Sequence, residues 1–326
     1  MRLRSVLFWL LLAALLVPAG LLTYARWAQP PGGTWLRVVA FTPWAVPAYA
    51  AAIGLLLVRV VLPGRGLRLV WLLGALALLA PLAVHLWWFS PQLVGANPPP
   101  ARDAAPLTVL TVNSLRGEVD ALALVEAATT ADADLLVVEE ITPGELATLE
   151  RGGLAEGWPY RAGQPRAGVD GTMVFSRLRL GRPERIATTM DSWAVTVSTD
   201  TGDLRLLAVH AWPPTVPARW RADHHAIRVA APGADLVVGD LNATPDHQPV
   251  QVLAELGLRS VAELANEGWQ PTWPGNGEYP LLGVGLPPLV QIDHVLVGER
   301  LAALSTRTVA VDGTDHLAVV AEVALQ

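Results

Sequence analysis

From Met1 to Pro100 the chain holds no aspartate, glutamate or lysine, and its seven arginines spare three long apolar stretches. These run at about Ser5–Ala25, Val38–Val58 and Leu69–Phe89. Some 21 residues rising ~1.5 Å each are enough to cross a hydrocarbon core of ~30 Å. The pattern predicts an all-α transmembrane region of three helices over residues 1–89. Trp9, Trp27, Trp35, Trp44, Trp71, Trp87 and Trp88 mostly fall near the ends of these stretches, where aromatic rings favour the membrane interface. His85, inside the third stretch, reads as a histidine near the headgroups or hydrogen-bonded between helices rather than as a proton relay.

Arg2 and Arg4 favour a cytoplasmic N-terminus, and Arg59, Arg65 and Arg68 favour a cytoplasmic second loop. Three spans then put everything after Phe89 outside the cytoplasm. Met-Arg-Leu-Arg before an apolar run permits a cleaved signal peptide, but the run is long and lacks a clean small-x-small site, so an uncleaved anchor is expected. Cleavage would leave two spans and the same placement.

The remainder has the opposite balance. All 29 acidic residues lie in 101–326 against 16 arginines, a formal charge of −13. The chain has no cysteine, which excludes disulfides, thiolate metal sites and a cysteine nucleophile. Residues 90–106, with Asn97-Pro98-Pro99-Pro100, read as a stiff, exposed linker. Residues 107–326 are ample for one core. Strands are expected at Leu107–Asn113, Leu135–Glu139, Thr172–Ser176, Ala194–Ser198, Leu204–His210, Asp235–Val238, Ile292–Val297, Ser305–Val309 and Leu317–Val323. Helices are expected at Glu118–Ala131, Pro143–Leu149 and Pro217–Ala230. Neither strict βα alternation nor a pure β pattern fits, so packed mixed sheets flanked by helices follow.

Polar residues recur at the ends of these strands. Gly239-Asp240-Leu241-Asn242 follows the apolar run Leu236-Val237-Val238, so Asp240 and Asn242, two apart, emerge on one side of the chain. Asn113, Glu140, His210, Asp293-His294 and Asp315-His316 occupy comparable places. A carboxylate can accept a proton or orient water, and an amide or imidazole can donate to an oxyanion.

These phrases, in this order, resemble the endonuclease/exonuclease/phosphatase superfamily of metal-dependent phosphoesterases over essentially all of 107–326. The resemblance rests on Thr111-Val112-Asn113, Asp134 to Glu140, Gly171 to Arg177, Leu207 to His210, Gly239 to Ala243, Thr272-Trp273-Pro274, Ile292 to Val295 and Thr314 to Leu317. It implies a four-layer α/β/β/α sandwich with two mixed sheets. It makes Glu140 the principal ligand of Mg²⁺ or Mn²⁺, with Asn113 and Asp315 nearby. Asp240 would orient or deprotonate the attacking water and Asn242 would position it. His316, held and raised in pKa by Asp293, would donate to the phosphate, and His210 would be a second donor. Glu139 departs from the family, which usually has glutamine there; it could add charge to the metal site or point into the neighbouring layer.

The other polar residues have plainer readings. His294 should face the other side of its strand, and Trp273 and Ser176 should support the core. His247 should sit in a loop, and His224 and His225 should lie on a solvated or lipid-facing helix. The uncharged segment Tyr279–Val290 reads either as a buried loop or as an apolar lip receiving a lipid chain near the metal.

An acidic outer part without lysine suits a nucleic acid poorly, since such binding relies on Lys and Arg neutralising phosphates. Permanent anchoring favours a substrate in the membrane. Architecture and motif order also resemble the teicoplanin-resistance membrane type within the superfamily, which implies hydrolysis of a lipid-linked phosphate such as polyprenyl pyrophosphate at the outer face. A tethered extracytoplasmic nuclease and a sphingomyelinase-like lipid phosphodiesterase are the alternatives.

Overall fold

The computed structural model describes residues 2–62, 67–95, 97–277 and 279–326. Arg65 of the orientation argument lies outside the described residues, as do the side chains of Arg2 and Arg4. The chain forms two compact units, Met1–Pro91 and Gln92–Gln326.

In the first unit, α1 (Arg2–Ala28), α2 (Gly33–Val39), α3 (Ala45–Val61) and α4 (Arg68–Phe89) follow one another. Three helices are long and apolar enough to cross a membrane: Ser5–Ala28, Thr42–Val61 and Arg68–Gln92. The second starts later than the sequence predicts. Val38 and Val39 close α2 instead, and Thr42–Trp44 forms a 3₁₀ turn that leads into α3. Pro43 lies in that first turn, where its missing N–H costs no hydrogen bond. The interior is built on Phe8, Leu12, Ala52, Leu56 and Ala75, small residues letting the helices approach. His85 is buried and hydrogen-bonded between helices, its Nε2 2.9 Å from Thr23 Oγ1.

The second unit is an α/β sandwich. Its strands are β1 (Leu107–Asn113), β2 (Leu135–Glu139), β3 (Tyr160–Gln164), β4 (Thr172–Ser176), β5 (Arg179–Leu180), β6 (Glu184–Ile186), β7 (Ser192–Thr199) and β8 (Gly202–His210). They continue as β9 (Leu236–Asp240), β10 (Arg259–Ser260), β11 (Pro280–Leu281), β12 (Val284–Gly285), β13 (Asp293–Val297), β14 (Leu301–Val309) and β15 (Ala318–Leu325). One sheet runs β14-β15-β1-β2-β4-β3 and the other β10-β13-β9-β8-β7-β5, with β6 also on β7. Both are mixed: β1–β2 and β8–β9 are parallel pairs and their neighbours antiparallel.

Alternation along the strands makes the layers. Val109, Leu135, Val137 and Val174 face Val195, Leu206, Ala208, Val238 and Val295 between the sheets. Leu110, Val112, Leu136, Val138 and Phe175 point outward, under α5 (Ala121–Thr130), α6 (Pro143–Arg151) and α7 (Leu154–Gly157). The crossover from β8 to β9 supplies α8 (Pro217–Ala230), followed by α9 (Gln248–Glu255) and α10 (Val261–Leu264). Helix α5 starts later than expected, because Asp120 caps it by accepting from Leu122 N and Ala123 N. Residues 92–106 belong to this unit and are tied to it: Gly268 N donates to Gln92 O at 3.0 Å and Ala101 N to Leu325 O at 2.8 Å.

Candidate active site

Strand register gathers the polar residues at one end of both sheets. Asn113 pairs with Glu139 across the parallel β1–β2 pair. His210 pairs with Asp240 across β8–β9, and Asp240 with Asp293 across β9–β13. Asp315 and His316 immediately precede β15, which runs antiparallel to β1. All eight residues singled out in the sequence therefore meet, and all but Glu140 and Asn242, which are half-buried, are buried.

Two of them need backbone that a side chain rarely adopts. Glu140 has φ 58° and Asn242 φ 46°, the left-handed region, and strain of this kind is stored where surrounding contacts enforce it. The turn at Glu140 aims its carboxylate at Asn113, whose Nδ2 donates to Glu140 Oε1 (3.3 Å) and to Asp240 Oδ2 (3.2 Å). Arg116 N donates to Glu140 Oε2 at 2.8 Å. Asp240 Oδ1 takes Asn242 N at 2.7 Å, and its Oδ2 takes Asn242 Nδ2 at 3.0 Å. His316 Nδ1 lies 2.9 Å from Asp293 Oδ2, the expected pair.

Electrostatics separate the roles. Burial and then the charge of Asp293 push the Asp240 carboxyl up to about 8. Burial alone would lower His316, but the charge and hydrogen bond of Asp293, with Asp240 and Asp315, outweigh it and raise the imidazole to about 10. Burial, reinforced by the His316 charge, drives His210 down to about 3. His316 is thus a cationic donor at neutral pH and His210 a neutral one. His210 Nε2 stands 3.7 Å from Asp240 Oδ2 and 3.9 Å from Glu140 Oε1, and neither of its nitrogens has a hydrogen-bond partner among the described residues.

The donor set fits a hard divalent cation. Glu140, Asp240, Asp293 and Asp315 crowd one end of the sandwich, and Asp293 Oδ1 and Asp315 Oδ1 are buried without a hydrogen bond. Oxygen ligands of this kind, in excess of the local positive charge, suit Mg²⁺ or Mn²⁺. Asp240, Asp293 and His316 each offer a ligand atom within 4.8 Å of the others. Since His316 Nδ1 is already bonded to Asp293, this trio describes the donor side of the site better than the ion's seat. Asn113 presents its amide nitrogen to the carboxylates and its Oδ1 to Leu115 N, so here it bridges Glu140 and Asp240.

Glu139 takes the second of its two sequence readings. It shares the inward parity of Leu135 and Val137 and is fully buried between the sheets, accepting from Thr111 Oγ1 at 2.9 Å. A Cβ on Gly239 would meet its Oε1 at 2.6 Å and Val209 O at 2.1 Å; the glycine, at φ 134°, makes room for this approach. Burial, then Asp293 and Asp240, raises Glu139 well above the usual carboxyl range, favouring the neutral form that a glutamine in its place would share.

His294 faces away as expected, its Nε2 2.8 Å from Ala243 O. Ser176 is buried, but Trp273 is half-buried beside the site instead of in the core, its Nε1 donating to Asp315 Oδ2 at 3.0 Å. Another expectation is corrected. His224 is buried, stacked edge-on against Trp220 at 4.4 Å; only His225 is on the solvated face of α8. His247 sits in the loop immediately before α9, as expected, and is buried there, accepting from Thr244 N at 2.9 Å. Both back the loop after Asp240, where Trp220 Nε1 donates to Asn242 O at 2.9 Å. Sequence reasoning missed Trp220, Thr272 and Thr314 as supports. Thr272 Oγ1 accepts from Asp293 N, and Thr314 Oγ1 donates to Asn113 O at 2.6 Å. Tyr279–Val290 is not a buried loop: Pro280–Gly285 is an exposed hairpin, and Tyr279 Oη reaches Asp315 Oδ2 at 3.3 Å.

Two facing mixed sheets, with acidic and histidine side chains converging at the shared strand ends, define a phosphoesterase fold. The sequence model of the Endonuclease/Exonuclease/phosphatase family matches residues 110–316, and the chain belongs to that family, whose members are hydrolases of phosphoesters. Solved structures agree on the fold. An endonuclease/exonuclease/phosphatase from Beutenbergia cavernae is 20% identical with a TM-score of 0.51, covering 68% of this chain and 72% of its own. D. rerio TDP2 complexed with single strand DNA product is 15% identical with a TM-score of 0.52, over 67% and 99%. The 3′ phosphatase NExo from Neisseria, bound to product DNA hairpin, is 16% identical with a TM-score of 0.50, over 66% and 98%. No curated protein matches the sequence.

Proposed function

We propose that the chain is a membrane-anchored, divalent-metal-dependent hydrolase of a lipid-linked phosphate or pyrophosphate, with polyprenyl pyrophosphate the first candidate, acting at the extracytoplasmic face. The observation that carries the chemistry is the convergence of buried Asp240 and the buried Asp293–His316 pair with Asn242, beside Glu140.

Glu140 and Asp315 would hold Mg²⁺ or Mn²⁺, which when bound neutralises the non-bridging phosphate oxygens, while Asn113 ties Glu140 to Asp240. The chain's own groups do the rest. Asp240, fixed by two bonds from Asn242 and one from Asn113, orients a water and takes its proton as the water oxygen bonds to phosphorus and the ester or anhydride oxygen departs. The raised Asp240 value suits a proton acceptor, and a cation alongside would bring it down towards neutral or below. His316, kept cationic by Asp293, donates to the phosphoryl oxygens from a direction that does not change during the reaction, and neutral His210 offers a second N–H.

Three membrane-length helices in the same chain favour a substrate carried by the membrane, and the arginine distribution favours the outer side. A charge of −13 on residues 101–326 disfavours a polyanionic substrate. The nuclease reading is kept as second because two similar folds were solved with DNA. Purified full-length protein with Mg²⁺, assayed in parallel on polyprenyl pyrophosphate, sphingomyelin and supercoiled plasmid, separates the readings. Inorganic phosphate release from the first alone is expected; plasmid nicking without phosphate release would establish the nuclease instead.

A further inference from the structure

The hairpin β11–β12 stands out from the acidic surface of its unit. From Tyr279 to Ile292 there is no charged residue. Leu282, at the tip, is 97% exposed, Val284 71% and Leu281 61%. A tight turn, with Leu282 at φ 53° and Gly283 at φ 81°, holds these side chains outward instead of letting them fold back onto the domain. Isolated apolar side chains on a surface are ordinary, but three on one projecting turn form a patch that water disfavours.

Chain connectivity says what covers it. The last membrane-length helix ends at Phe89, and only a 3₁₀ turn, Ser90–Gln92, separates it from the catalytic unit. Gln92 O is bonded to Gly268 N, and Gly95 N to Asn266 Oδ1. Two exposed apolar side chains, Leu93 (53%) and Val94 (82%), lie between these ties. At ~3.5 Å per residue, the chain allows Gln92 no more than about 10 Å from the end of that helix. The hairpin begins at Pro280, twelve residues after Gly268. Its base is fixed to the site: Tyr279 packs 5.3 Å from Trp273, and both donate to Asp315 Oδ2.

We propose that the hairpin Pro280–Gly285 docks into the lipid surface, with Leu281, Leu282 and Val284 entering the headgroup–acyl boundary and Tyr279 setting the distance from the bilayer to Asp315. Its occupant is the bilayer itself. The proposal deepens the lipid-phosphate reading and rests on it for its purpose: a docked hairpin would keep the site at the depth where a lipid-borne phosphate emerges.

The natural absence of cysteine gives a clean test. Leu282→Cys, and separately Val284→Cys, in the full-length chain would be labelled with an environment-sensitive NBD fluorophore and placed in nanodiscs with or without doxyl-labelled lipid. Leu122→Cys, on exposed α5, provides the comparison. Both hairpin labels should emit to the blue of the Leu122 label and be quenched by doxyl lipid at least twofold more strongly. Quenching no greater than at Leu122 would overturn the proposal. So would a blue-shifted but unquenched label, which would mean that protein, such as a second copy of the chain, covers the hairpin. Failure of the lipid-phosphate reading shows up separately, as absent phosphate release from a protein whose hairpin labels are quenched.

Discussion

At the scale of single residues, Glu139 shows how a family position can change its side chain and keep its chemistry. The carboxyl is sealed between the sheets, bonded to Thr111, and shifted towards its neutral form by burial and by two neighbouring carboxylates. Its folded pKa is raised above the unfolded value, so the folded state binds the extra proton; the associated stability is complete below the ordinary carboxyl range and is lost as pH rises towards the folded value. Glu139→Gln has no proton to lose. Chemical denaturation at rising pH should therefore show the variant gaining on the parent chain above the ordinary carboxyl range, with activity retained; parallel pH profiles would contradict a raised Glu139. The sequence showed that a glutamate stands where glutamine is usual, and strand alternation pointed it inward. It could not show the approach to Gly239 that leaves no room for solvent.

At the scale of elements, the site is a consequence of register. The pairings Asn113 with Glu139, His210 with Asp240 and Asp240 with Asp293 bring residues far apart in sequence to one sheet end. Gly239 is the residue on which the two sheets close. Gly239→Ala would force a Cβ into Val209 O at 2.1 Å, at φ 134°, and should destabilise the domain by more than ~3 kcal/mol, read as a loss of soluble folded protein or a collapse of the denaturation midpoint. A variant with the parent midpoint would mean that β9 is not packed as described. Buried strands were legible because aliphatic runs bounded by polar residues have few other uses: β1, β2 and β4 lie where the sequence puts them. The short edge pieces β3, β5, β6 and the hairpin β11–β12 were not, because edge strands carry mixed polarity and Gly or Pro and leave no periodic signal. The burial of His224 was not legible for a related reason: helix patterning gives a histidine no preference between a solvated face and a buried polar cluster, and only the packing of α8 behind Asn242 decides.

At the scale of the whole molecule, an acid-free unit with helices long and apolar enough to cross a membrane is followed directly in sequence by an acid-rich phosphoesterase-family unit. The composition break made that division readable at once, and the recurrence of Asp, Asn, Glu and His at strand ends made the site readable in outline. What the sequence hid is how closely residues 92–106 are tied to the hydrolase unit, since a Pro-rich stretch has the same composition bound or free. The central claim is that one buried, metal-dependent site at the joined sheet ends hydrolyses phosphate esters, with Asp240 as its proton acceptor. The most direct measurement compares phosphate release from polyprenyl pyrophosphate by the full-length chain in Mg²⁺, by the same preparation in excess chelator, and by Asp240→Asn in Mg²⁺. The account predicts turnover only in the first, with chelation abolishing it reversibly and Asp240→Asn lowering kcat by about 10²–10⁴-fold while the melting temperature shows a folded domain. Turnover that persists in chelator, or an Asp240→Asn variant as fast as the parent chain, would contradict it.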